Sequence, residues 1–405
     1  MILKIAWRNI WRNPTRSLVV IMAMFVGMLF GLFSSTFMTG WMQQRLNDGI
    51  ETETSHIQLH HPQFKNTDDQ NIYISQALEK REQILLLPGV NGVSERFKIQ
   101  AMVASAETST GIMVLGANPQ QEKQVINLSE KIVAGDWFES QRRHSIVIGQ
   151  KLAEKLKVRL RSKIVLRLQD ADGNITGGAF RVTGIFKTIN TSFDEAYVWV
   201  QKNDLQKLTL LPADAAHEIA VHVENQEMQM QIVNKLTSLY PDLLTESWQD
   251  VSPELGYLTE VGNTYQYFLV IIILLALGFG IVNTMLMVVL ERLRELGMLM
   301  AVGMNKRRIF TMIVLESIML SIVGGFSGIL GGIGLTEYLQ IDGIDLSLWG
   351  EGLTEWGFAP IVFPMYDVPM VVTIAALVII TGIIASLYPA YKGLKLNPSE
   401  AIRVI

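Results

Sequence analysis

Long apolar runs alternate with ordinary mixed sequence along the chain, and that alternation sets its architecture. Four runs are long enough to cross a hydrocarbon layer about 30 Å thick, which takes roughly 20 apolar residues in a helix. They predict spans at 17–39, 265–290, 309–335 and 369–391. The second is the cleanest, with no charged residue between Val261 and Leu290; the fourth is uncharged from Val371 to Ile384. The first run begins near Ser17 and reaches about Phe37, longer than a signal h-region, and no small-residue cleavage site follows it. It is expected to stay in the membrane. Ahead of it, residues 1–16 predict an interfacial helix. At 100° per residue Leu3, Ala6, Trp7, Ile10 and Trp11 share one arc, and Lys4, Arg8 and Arg12 form a stripe beside it.

Between the first two spans, over 40–264, the period changes. Short alternating runs predict strands at His56–His60, Gly111–Gly116, Ser145–Ile148, Lys163–Leu168, Ala179–Ile185, Ala196–Val200 and Glu218–Val223. Helical stretches fall at Ile74–Leu87, Gln150–Leu156 and Glu227–Tyr240. Asp170, Asp172, Gly173 and Asn174 make a turn signal, so 163–185 should be a hairpin. Trp41–Thr54 and Pro253–Tyr265 read as helical extensions of the spans, forming a stalk. The predicted fold is therefore a membrane protein of four transmembrane α-helices, with a large α+β domain between the first and second. A loop at 336–368, rich in Gly, Pro and Trp, should pack over the membrane surface, and a tail at 392–405 closes the chain.

Charge orients this layout. Lys4, Arg8, Arg12 and Arg16 precede the first span. Arg292, Arg294, Lys306, Arg307 and Arg308 join the second to the third, and Lys392, Lys395 and Arg403 follow the fourth. The 336–368 loop has no basic residue but carries Glu337, Asp342, Asp345, Glu351, Glu355 and Asp367. The positive-inside rule puts both termini and the 291–308 loop in the cytoplasm, and turns the 40–264 domain and the loop after the third span outward. A formal net charge of -4 argues against nucleic acid as a partner. Without cysteine the chain has no disulfide, thiolate metal site or cysteine nucleophile.

The usual signatures of catalysis are missing. No Gly-Lys dipeptide occurs, so there is no Walker A loop; nor is there a Gly-x-Ser-x-Gly elbow or a His-Glu-x-x-His helix. His56 and His60 would share a strand face while His61 points away, which favours a hydrogen-bonded strand over a metal site. His217 and His222 fall on opposite faces of their strand. Asp170, Asp172 and Asn174 resemble the start of a calcium loop, but the twelfth position is Arg181 instead of glutamate, so a plain turn is expected. No catalytic, cofactor or metal site is predicted in the chain.

The informative stretch is 291–308. Leu293, Leu296 and Met300 recur at helical spacing between charged neighbours, which predicts a short amphipathic helix able to lie in another protein's groove. Glu291, Arg292, Arg294, Glu295, Gly297, then Ala301, Gly303 and Arg308, resemble the signature of the FtsX-like permease family, the MacB-type and Lol-type permeases included. The third span carries Glu316 and the four-spaced Gly324, Gly328 and Gly332, similar to the family's glycine-rich third span. Pro389-Ala-Tyr-Lys392, Asn397–Arg403, the N-terminal Ala6-Trp-Arg-Asn9 with Arg12-Asn-Pro, and more loosely Ser145–Val200 are also like the family.

The resemblance implies a type VII ABC permease. In it, residues 291–308, with Leu296 among them, form a coupling helix that receives the stroke of a separate cytoplasmic ABC ATPase dimer. ATP and Mg would sit in that partner, and this chain would be a transport subunit and not itself an enzyme. A second permease copy or paralogue, membrane lipid and a periplasmic chaperone or adaptor are the other implied partners. The implied work is mechanotransmission to the outer domain. Release of lipoproteins or other lipidated substrates is the first reading. MacB-like drug or peptide efflux and FtsX-like control of a cell-wall hydrolase stand as alternatives, though no ATPase domain is fused here. With no basic residue inside the spans to pair with it, Glu316 is read as a packing or coupling residue in preference to a proton relay.

Overall fold

The computed structural model describes residues 2–12, 14–67, 69–138 and 144–394. The closing motif at Asn397–Arg403 lies outside the described residues, as do the side chains of Leu3, Lys4, Arg16 and Leu293. The chain divides into two compact units, one of Met1–Met42, Glu260–Asp345 and Ile361–Ile405, the other of Gln43–Thr259 and Leu346–Pro360.

Helices build the first unit. In chain order they are α1 (Ile2–Arg12), α2 (Pro14–Gly49), α3 (Pro253–Glu291), α4 (Leu293–Ala301), α5 (Lys306–Asp342) and α6 (Val368–Leu394). Helices α2, α3, α5 and α6 are each long and apolar enough to cross a membrane. They outrun the apolar runs that define them. α2 continues into a single π turn at Ile50–Thr54, and α3 begins at Pro253. α5 reaches Asp342, so Glu337 and Asp342, assigned from sequence to the loop after the third span, belong to that helix; Gly343, at φ 74°, ends it. Apolar side chains from all of these helices share one core, with Ile10, Met24, Met28, Leu277, Ile281, Leu296, Met312 and Val378 buried in it.

The glycines of α5 explain its close packing. A Cβ on Gly324 would lie 2.7 Å from the Met24 Cβ and 2.9 Å from the Ile21 carbonyl oxygen. On Gly328 it would lie 2.6 Å from the Met28 Cβ, and on Gly332 2.8 Å from Leu32 Cδ2. The stripe thus receives α2 nearly backbone to backbone, as small residues permit between helices in lipid. Thr36 and Thr336 add a hydroxyl contact of 3.1 Å along the same seam.

The second unit is α+β. Its strands are β1 (Ile57–His60), β2 (Val90–Ala104), β3 (Ser109–Ala117), β4 (Ile132–Gly135), β5 (Ser145–Gly149), β6 (Lys163–Gln169), β7 (Ile175–Phe186), β8 (Tyr197–Gln201), β9 (Glu218–Val223) and β10 (Leu244–Ser247). They run in the order β10-β1-β9-β2-β3-β8-β5-β7-β4, and β6 pairs with both β2 and β7. The double pairing of β6 closes a ring: β2-β3-β8-β5-β7-β6 returns to β2. Closure removes open edges. Phe97, Ile99, Val114, Ile148, Leu166, Phe180 and Val200 fill its core, and β6 alternates exposed and buried along its length.

The first half of β2 leaves the ring and joins β9, β1 and β10 in a four-stranded sheet. Helices Ala77–Leu85 and Gln229–Leu239 contribute Ile84, Ile232 and Leu236 to that sheet's core. The expected hairpin is present, Lys163 opposite Arg181 through Gln169 opposite Ile175. Its turn is held by Asp170, whose Oδ1 accepts the Asp172 and Asn174 amides at 3.0 and 2.8 Å. Asp170 is thereby a turn residue.

Candidate functional site after the second span

The stretch 291–308, expected as one helix, is three pieces. Glu291 closes α3. Arg292, at φ -95° and ψ 13°, breaks the helix, and α4 occupies only Leu293–Ala301. Its end is a Schellman motif: Met304 N donates to Leu299 O at 2.9 Å and Gly303 N to Met300 O at 3.1 Å, with Gly303 at φ 98°. No side chain would clash at Gly303, so its left-handed backbone is what asks for glycine there. The Asn305 side chain then caps α5, accepting the Arg307 amide at 3.1 Å. Lys306, Arg307 and Arg308 thus form the exposed first turn of α5.

Burial divides α4 into two sides. Leu296, at 3% exposure, and Gly297 face the helical core. Arg294, Met298, Ala301 and Val302 are exposed, Val302 by 84%. An apolar exposed side beside an arginine is what a partner-facing helix needs.

A chain of four charged groups anchors the segment. Arg292 Nη1 donates to both carboxylate oxygens of Glu316 at 3.2 Å. Arg292 Nε donates to Glu295 Oε2 at 3.3 Å. The second partner of Glu295 is Arg12 of α1, whose Nη1 donates to Oε2 at 3.3 Å and whose Nη2 pairs with Oε1. The sequence reading left Glu316 without a basic partner, and the structure supplies Arg292. The arginine sits where α3 breaks, so its long side chain reaches back over the core while its own backbone lies at the helix end. Glu316 shares the buried face of α5 with Met312, Leu320, Gly324, Gly328 and Gly332. A cavity of about 20 Å³ flanks the pair and is lined by Asn9 of α1 and Ser17 of α2, among others. Arg12 and Asn9 were not among the expected site residues. No sequence signal links them to Glu295 and Glu316, some 300 residues away.

Charged and aromatic clusters of the other unit are structural. Arg96, at 1% exposure, forks onto Glu122 (2.6 and 3.1 Å) and reaches Glu218 (2.6 Å). His60 Nε2 bonds the Gln58 amide oxygen at 3.0 Å, and His217 packs between Phe64 and Phe97. His56 meets His222 edge to face at 4.7 Å, and burial lowers the His56 pKa to about 4. Among the described residues no three His, Asp or Glu side chains group to hold a metal ion.

Four helices long enough to span a membrane, an α+β domain between the first two, and a capped, charge-anchored helix after the second define a multi-pass membrane protein. Two family models cover the chain: a MacB-like periplasmic core domain over 18–239 and an FtsX-like permease C-terminal region over 267–398. The chain belongs to the FtsX-like, MacB-type family of ABC transporter permeases. It is similar to the lipoprotein-releasing system transmembrane protein LolC of Xylella fastidiosa, at 23% identity over 78% of each chain. LolE of Haemophilus influenzae is 24% identical over 89% of this chain and 88% of LolE. The macrolide export ATP-binding/permease protein MacB of Rhodopirellula baltica is 39% identical over 31% of this chain and 16% of MacB. The protein is thus an ABC transporter permease of the LolC/LolE and MacB type, a multi-pass protein of the bacterial inner membrane.

Proposed function

We propose that the protein couples ATP hydrolysis by a separate cytoplasmic ABC ATPase dimer to conformational work by its periplasmic domain, and that the work releases lipoproteins or other lipidated substrates from the inner membrane. The observation that carries this reading is α4: a short helix, capped at its end, buried on one side, apolar and basic on the other, and tied by charge to the helix core. A rigid lever needs those properties; a connector that only fixes topology does not. The basic short loops support a cytoplasmic position for α4 and both termini. The length of α2 and α3 beyond their apolar runs supports transmission along stiff helices. A second permease subunit, identical or paralogous, completes the assembly. Similarity to LolC and LolE along most of the chain favours lipidated cargo. The higher but shorter identity to MacB keeps efflux with a periplasmic adaptor as the second reading.

The test is recovery of the complex in mild detergent. An ABC ATPase should co-purify, and Glu295→Lys or Gly297→Leu should uncouple ATP hydrolysis from function while insertion stays normal. A complex without any nucleotide-hydrolysing subunit ends the proposal. Depletion sorts the cargo: lipoproteins retained in the inner membrane support release, drug sensitivity alone supports efflux, and division or chaining defects point to control of a cell-wall hydrolase.

A further inference from the structure

The apolar arc of α1 does two jobs. Ala6 and Ile10 are buried in the helical core, at 0% and 2% exposure, while Trp7 and Trp11 from the same arc stay exposed and meet edge to face at 5.8 Å. One half of the arc therefore grips the protein and leaves the tryptophans for the membrane interface. α1 packs along α5, where Asn9 Nδ2 approaches the Met312 sulfur at 3.8 Å, and Ser17 Oγ closes its end by donating to Ile10 O at 2.6 Å. From this seat Arg12 reaches Glu295 on α4 with two of its nitrogens.

The four charges are graded in exposure. Side-chain exposure rises from 7% at Glu316 and 15% at Arg292 to 37% at Glu295 and 63% at Arg12. The inner pair is the costlier of the two to part, because a more buried charge left alone is more expensive. The outer pair is wet and easily parted. Glu295 therefore divides its carboxylate between a fixed partner and a releasable one.

We infer that Arg12 is a positioning residue for α4: through Glu295 it seats the segment on α1, so that α1 is the resting latch of α4 and α4 swings about the Arg292–Glu316 pair when the latch opens. On this account Glu295 acts inside the permease, between its own helices, and the face left for a partner is Arg294, Met298 and Val302. The mechanical consequence rests on the coupling role proposed above; the latch itself does not.

The chain has no native cysteine, so spin labels can be placed singly on the full-length protein. Labels at Trp7→Cys and Met298→Cys, both on exposed positions, report the separation of α1 and α4 in lipid nanodiscs by pulsed electron resonance. With Arg12 present the distance distribution should be single and narrow. Arg12→Glu should shift it to longer and broader separations, Arg12→Lys should keep it, and Arg8→Glu, on the same helix, should leave it unchanged. A distribution unaffected by Arg12→Glu overturns the latch. So does an equal broadening by Arg8→Glu, which would assign the effect to the charge of α1 at large. No ATPase is needed, so failure of the transporter reading and failure of the latch are read separately.

Discussion

Two clusters of arginine and glutamate, one in each unit, use the same chemistry for opposite ends. In the α+β unit Arg96 is sealed between Glu122 and Glu218, with Ser94 Oγ holding Glu122 at 2.6 Å. Every member is at most 3% exposed. Burial works against the charged Glu218 carboxylate, yet Arg96, with Lys98 and His60 nearby, outweighs it and holds the pKa below the usual range. In the helical unit Arg12, Glu295, Arg292 and Glu316 run from water into the core. A sealed cluster has one arrangement that satisfies its charges, so it fixes a structure. A graded one has a wet end whose partners can exchange with solvent at little cost, so it can permit movement. What separates a strut from a joint here is exposure, since the residue types are the same.

The largest effect should come from breaking the sealed cluster. Arg96→Met leaves two buried carboxylates unpaired and should destabilise the α+β unit by about 3–5 kcal/mol, read as a fall in the melting temperature of the full chain in detergent. Replacing the whole cluster with apolar residues, Arg96→Met with Glu122→Leu and Glu218→Leu, should recover most of the loss. If the triple variant melts as low as the single one, the charges are required for a reason other than mutual compensation.

Asp194 shows what a buried carboxylate does without an arginine. It is 3% exposed, and its oxygens accept the Thr188 amide and hydroxyl at 3.1 and 2.8 Å. Burial raises its pKa to about 7, outweighing those hydrogen bonds. A folded-state pKa raised in this way favours the fold most below the unfolded value, near 4. That advantage is lost as pH climbs toward 7, because the unfolded chain gives up the proton first. Asp194→Asn should remove the dependence. Relative to the parent it should be stabilising by about 2 kcal/mol at pH 8 and close to neutral at pH 4, water entering the site taking back part of the linkage energy. Equal melting differences at the two pH values would show that Asp194 stays ionised in the fold.

The same contrast decides how much was legible in the sequence. The spans and the short helix between the second and third could be read because lipid imposes long apolar runs and a charged amphipathic stretch interrupts them. The 163–185 hairpin could be read because its turn carries Asp170, Gly173 and Asn174 and its strands alternate. β2, the longest strand, was missed because Ser94, Glu95 and Arg96 form a polar run in it, which becomes buried only once Glu122, Glu218 and Lys202 arrive from elsewhere. The ring was invisible for the same reason: it closes through β2. In the site, the motif located α4, but its partners did not follow. Glu316 is 24 residues from Arg292 and Arg12 is 283 from Glu295, separations at which periodicity carries no information. Local pattern reports an element's own faces; it is silent on charges that only tertiary contact pairs.

The smallest effect tests the joint itself. Among the described residues Arg292 has two partners and Glu316 has one, so their removal should not be equivalent. Glu316→Gln leaves Arg292 bound to Glu295 and partly hydrated, and should cost under about 1 kcal/mol. Arg292→Gln leaves Glu316 buried on the inner face of α5 without its arginine, and should cost about 1–2 kcal/mol. The sealed cluster should rank the same way, because Arg96 also holds two carboxylates and its loss strands both. Melting of the two variants in detergent measures the ranking, and the Arg96→Met variant sets the scale for a sealed charge. If Glu316→Gln is the more harmful of the pair, Arg292 depends on Glu316 alone, Glu295 contributes nothing to holding it, and the graded chain is two separate pairs instead of one joint.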